Sequence, residues 1–200
     1  MIERPQPRSK VRRLFVFALV AAALAGKLRA EDTPPPATAA NEEASIPAVP
    51  PLRLNLNGRE FHRVEAAESA ATTTFVYLPE GSTTQDWAEM VTHQLLKLQQ
   101  RAGADEVVQF IRGRSQGKIR IETILETRKA AVFISLAPGA DGAEAQMAVG
   151  LAFLDLANPL QVHLVQFVLK PNRLPQAEVE QKLRSWRDLF KDRATALATN

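Results

Sequence analysis

Three histidines and no cysteine make up the chain's stock of side chains that titrate near neutral pH, so the histidines hold the first claim on chemistry. His93 follows Asp86 and Glu89 in the stretch Phe75–Gln100, FVYLPEGSTTQDWAEMVTHQLLKLQQ. On a helix these three would share a face with Lys97, a grouping that acid–base or metal chemistry could use. The spacing argues otherwise. Glu-x-x-x-His is neither the His-Glu-x-x-His of zinc hydrolases nor the Glu-x-x-His of di-iron bundles, and a Glu89–His93–Lys97 ladder is what a solvated helix face carries. His163 alternates with Val165, Phe167 and Leu169, which reads as a hydrogen-bonded core or sheet-end residue. His62, beside Arg63, reads as an exposed strand residue. No G-x-S-x-G, S-x-x-K, P-loop, EF-hand or dinucleotide glycine pattern occurs, and the turn Pro138–Gly142 offers one carboxylate, Asp141, too few oxygens for a calcium loop. The residues therefore assign no catalytic or metal site and imply no cofactor. The most distinctive charged feature is the loop Arg112-Gly-Arg-Ser-Gln-Gly-Lys118. Arg112, Arg114, Lys118 and Arg120 beside glycines could let backbone amides approach an anion; they are the candidate contact for an acidic partner or a lipid head group.

The elements that must position these residues follow from periodicity. Leu52, Leu54 and Leu56 alternate with Arg53 and Asn55, a half-buried strand, and Asn57-Gly58 is a strong hairpin signal because both turn positions favour positive φ. Phe61 and Val64 lie on the return segment, and Thr72–Leu78 is β-branched and aromatic enough for another strand. After Pro79-Glu80-Gly81, the hydroxyls of Ser82, Thr83 and Thr84 are candidate N-caps, and Gln85 completes a capping-box spacing from Ser82. Trp87, Val91, Leu95 and Leu98 then fall on one helical face, which predicts a main helix ending at Gly103. A shorter helix is expected over Glu106–Ile111. Lys118–Arg128 and Ala130–Ala137 read as a hairpin, Gln146–Leu156 and Leu160–Lys170 as strands apolar on both faces, and Pro175 opens a last helix carrying Val179, Leu183, Trp186, Leu189 and Phe190. The order gives an α+β domain, a mostly antiparallel sheet of about six or seven strands packed with two main helices.

The amino-terminal fifty residues are different material. Arg4, Arg8, Lys10, Arg12 and Arg13 precede an apolar run, Leu14–Ala25, too short for a membrane-spanning helix of roughly twenty residues and suited to a secretory leader. Residues 1–30 are expected to be a signal peptide, 31–51 a Pro/Ala-rich linker, 52–194 the folded domain, and 195–200 a fraying tail. Without the leader's seven basic residues and one acid, 18 Lys and Arg face 21 Asp and Glu, net −3. Such a domain gets no general help in binding phosphate backbones, so nucleic acid is not an expected partner. With no cysteine there is neither thiol chemistry nor a lipid-modified cysteine, so the exported chain reads as periplasmic or secreted rather than as a lipoprotein, with no stable membrane span after leader removal.

From Tyr77-Leu-Pro-Glu-Gly81 through Trp87, the meander to Lys170 and the closing segment with Trp186 and Phe190, the chain resembles exported PsbP-like domains. The resemblance implies an antiparallel sheet covered by helices on both sides, and an accessory or assembly role rather than an enzyme; it transfers no site residue. The reading that results is an exported, non-enzymatic domain that binds a protein partner in the bacterial cell envelope. The alternative is a carrier of a small apolar ligand held between the sheet and the Trp87 helix, against the Ala148, Gly150 and Ala152 face. A hydrolase, with His93 and His163 as its candidates, stands third.

Overall fold

The computed structural model describes residues 50–115, 117–139 and 144–199. The expected leader, nearly all of the linker and residues 140–142 of the turn with Asp141 lie outside them. Among the described residues no helix is long and apolar enough to cross a membrane.

The chain forms β1 (Arg53–Leu56), β2 (Arg59–Glu68), β3 (Thr72–Pro79) and β4 (Glu89–Lys97) before helix α1 (Ala104–Arg114). It then forms β5 (Arg120–Glu126), β6 (Ala130–Ala137), β7 (Gln146–Leu154) and β8 (Gln161–Leu169) before helix α2 (Gln176–Thr199). All eight strands join one antiparallel sheet in the order β1-β2-β3-β4-β8-β7-β6-β5, two four-strand meanders sewn together where β4 pairs with β8. Asn57 and Gly58 turn the first hairpin with φ of 56° and 69°, the left-handed pair that their side chains tolerate best. The end of the linker is stitched to the sheet: Tyr77 donates its hydroxyl to the carbonyl of Pro51 at 3.1 Å, and Arg63 donates to that of Pro50 at 3.2 Å.

The α+β class and antiparallel sheet are as expected, but the sheet has eight strands rather than six or seven. The extra strand replaces a helix. Residues Ser82–Gln100 do not form the expected main helix; β4 runs through them. Two physical reasons decide this. Thr83 accepts the Asp86 N–H on its Oγ1 at 3.1 Å, and the two residues exchange backbone hydrogen bonds at 3.2 Å, so the hydroxyl closes a local turn instead of starting a helix. A spacing of four, as in Val91 and Leu95, also keeps two residues on one strand face, so that spacing does not discriminate. β4 lies between β3 and β8, and eight of its nine residues are buried or partly so. The wet face that the helical reading needed does not exist.

The two helices are therefore the short one after Gly103 and the last one, which continues through the expected tail to Thr199. They lie on opposite faces. α2 buries Val179, Trp186, Phe190 and Ala194 in a core with Phe61, Val132, Leu151 and Phe167. Trp186 stacks on Phe167 at 4.4 Å and meets Phe61 and Phe190 edge-on; burying such a ring stabilises by roughly 3 kcal/mol. α1 sets Ala104, Val107 and Val108 against Ala131, Phe133, Ala152 and Leu164 on the other face. Farther along that face, Trp87, Val76, Leu78 and Met90 cover Ala148 and Val168. β7 is thus covered on both sides, as its doubly apolar pattern requires.

Candidate functional site

The site of interest is a cleft of about 530 Å³ between α1 and the sheet. Helix α1 is anchored firmly at its start. Glu106 accepts the Gly103 N–H at 2.7 Å, the carboxylate half of a capping box, and Ala104 donates its N–H to the carbonyl of Arg128 at 2.8 Å, tying the helix to the β5–β6 turn. Arg112 reaches from α1 to Thr123 of β5 and to Gln109. The helix so held rests on β5, β6 and β7, and between it and the strands β4 and β8 the cleft opens. Val107, Phe110 and Ile111 form its roof, and Leu96, Phe133 and Leu164 part of its floor. Gly150 controls the depth of that floor. A Cβ there would collide with the Phe133 ring, so the missing side chain lets the ring lie down on β7.

The floor is not wholly apolar. Gln94 from β4, Gln166 from β8 and Ser135 from β6 also line the cleft, and each is at least 95 % buried. Ser135 Oγ has no hydrogen-bond partner, and neither has Thr92 Oγ1, which stands opposite Gln166 in the β4–β8 register. A buried hydroxyl without a partner is costly, and these two stand with Gln94 and Gln166 as four polar side chains on an otherwise apolar face. Among the described residues only one cation and one anion, Arg101 and Glu106, line the cleft, both exposed.

The opposite face holds the histidines. His93 on β4 and His163 on β8 meet, Nε2 to Nδ1, at 3.0 Å, and His163 Nε2 lies 3.5 Å from Asp155 Oδ2. With Asp155 as acceptor, His163 carries its proton on Nε2, and His93 then donates from its own Nε2. Burial, followed by the neighbouring His163, pulls the pKa of His93 from its usual 6.5 to about 3. Burial also lowers that of His163, against the raising pull of Asp155. Both rings are essentially inaccessible, and His163 stacks on Phe153 at 4.7 Å. The chain thus runs from the partly exposed Asp155 through His163 to the buried His93 and ties β8 to β4.

The expected wet ladder is dismantled. Glu89 is buried and ion-paired with Arg59 and, at 3.3 Å, with Lys182 of α2; His93 is buried; only Asp86 and Lys97 reach solvent, paired with Arg173 and Glu68. His62 is half-buried on β2. Of the basic candidates, Arg112 is pinned to β5, while Lys118 and Arg120 are exposed at the α1–β5 turn; Arg114 ends α1 and its side chain lies outside the described residues. No motif or spacing in the sequence singles out Gln94, Ser135 and Gln166 as site residues. The signal available was a polar residue inside strands otherwise apolar on both faces, as in AAVFISLA and QVHLVQFVL.

Among the described residues no group of three His, Asp or Glu side chains is placed to hold a metal ion. Comparison with protein families, with curated proteins and with solved structures finds no match to this chain.

Proposed function

We propose that this is an exported, non-enzymatic binding domain that takes a small, largely apolar molecule into the α1 cleft. The observation that supports the reading is the cleft itself, whose volume lies within the range of small-molecule sites and whose walls are mainly aliphatic and aromatic. The expected carrier site lay between the sheet and a helix bearing Trp87. The same sheet face is used, but α1 forms the roof and Trp87 sits beyond it, on the turn before β4 with Lys170 Nζ 4.3 Å from its ring centre.

Native mass spectrometry of freshly purified protein tests this. The expected result is a retained small molecule, absent from a Leu164→Trp variant that fills the cleft. A clean apo mass for the wild type, with no uptake of added apolar compounds, would return the reading to a protein partner, the accessory role that the PsbP-like resemblance implies. For that role the exposed Lys118 and Arg120 are the available contacts.

A further inference from the structure

We infer that the cleft selects uncharged molecules that carry a hydroxyl or carbonyl group on an apolar body, and that Ser135, Gln94 and Gln166 receive that group; this rests on the ligand-binding reading above. Three features of the site carry the inference.

The polar groups of the floor are all neutral. Ser135, Gln94 and Gln166 supply a hydroxyl and two amides, able both to donate and to accept, and each is buried. An ionised ligand group placed there would lose its hydration and meet no opposite charge, because burying an unpaired charge is far costlier than burying a neutral dipole. The single lining cation and anion cannot supply that charge: both are exposed, and Glu106 is engaged with the Gly103 N–H.

The second feature is the unpartnered hydroxyl of Ser135, a residue of the cleft floor that is 2 % exposed, its Oγ lying just beneath the cleft surface. No protein group satisfies that hydroxyl, and a small outward turn of its side chain would let a ligand oxygen do so. The third is placement. Phe133 lies flat over Gly150 between β6 and β8, so an apolar body can lie across the ring between the Ser135 and Gln166 ends of the floor. Val107, Phe110 and Ile111 close over it.

The test uses the uncharged fluorophore N-phenyl-1-naphthylamine, displaced from the purified protein at pH 8 by decanol, decanoate or decylamine, with decanol uptake also followed by native mass spectrometry. Decanol should displace the fluorophore at least tenfold more effectively than either ionised analogue. Ser135→Ala should weaken decanol about fivefold, the worth of one neutral hydrogen bond, while the ligand-free variant unfolds at the same temperature as the wild type or a higher one. That combination separates a ligand contact from a structural one, since losing a structural hydrogen bond would lower the unfolding temperature. Decanoate displacing as well as decanol, or Ser135→Ala binding decanol as tightly as the wild type, would overturn the selectivity while leaving ligand binding in place. If neither the fluorophore nor decanol binds, the ligand-binding reading fails and the selectivity falls with it.

Discussion

At the scale of single residues, the His93–His163 pair makes the sharpest prediction. The unfolded chain accepts a proton on His93 near pH 6.5, and the folded chain refuses it until about pH 3. Between these values the unfolded state binds more protons, so stability rises with pH there. The contribution is complete above 6.5 and is lost progressively as pH falls toward 3. Urea unfolding followed from pH 7.5 down to 4 should therefore show a falling midpoint. His93→Leu should flatten that fall, whatever it does to stability at neutral pH; an unchanged slope would mean that other groups govern the acid side. Neither the burial of His93 nor the pairing was legible in the residues: His93 and His163 are 70 positions apart, and only the β4–β8 register brings them together. The expectation of a satisfied core histidine held for His163 because its strand neighbours are apolar, a purely local signal.

At the scale of elements, strands and turns whose cause is local were readable. Asn57-Gly58, the alternation of β5, the doubly apolar β7 and β8, and the apolar stripe of α2 all carry their structure in neighbouring residues. β4 does not. Its Thr92, His93 and Gln94 are polar residues buried between two flanking strands, and a polar, helix-compatible stretch becomes a central strand only because β3 and β8 claim both of its edges. β6 and β7 show the complementary case, in which one small residue sets the shape of a neighbour. Gly150→Ala would drive a methyl into the Phe133 ring and should cost about 2 kcal/mol by overpacking, read as a lowered unfolding temperature. Relaxation of the ring toward α1 should also shrink the cleft, so fluorophore binding is expected to weaken in the same variant. Full stability in Gly150→Ala would show that Phe133 moves aside freely.

At the scale of the whole molecule, one sheet serves two cores, and the two tryptophans report them separately. Trp186 sits in the α2 core and Trp87 in the cluster on the α1 face. Because β4, β7 and β8 contribute side chains to both, neither core can dissolve without exposing the back of the other. Single-tryptophan variants, Trp87→Phe and Trp186→Phe, should each unfold in urea with fluorescence and far-ultraviolet circular dichroism coinciding. A fluorescence transition that precedes the loss of circular dichroism in either variant would show that one face opens by itself. Composition and pattern alone determined the α+β class, the second antiparallel meander, the closing helix and the Asn-Gly hairpin, since each depends on residues within a turn or a strand of one another. The eighth strand, the buried histidine chain and the polar floor beneath α1 were decided only by the tertiary structure. There, side chains distant in sequence share a register, and the burial of both sheet faces turns polar residues from solvated groups into ones that need a partner.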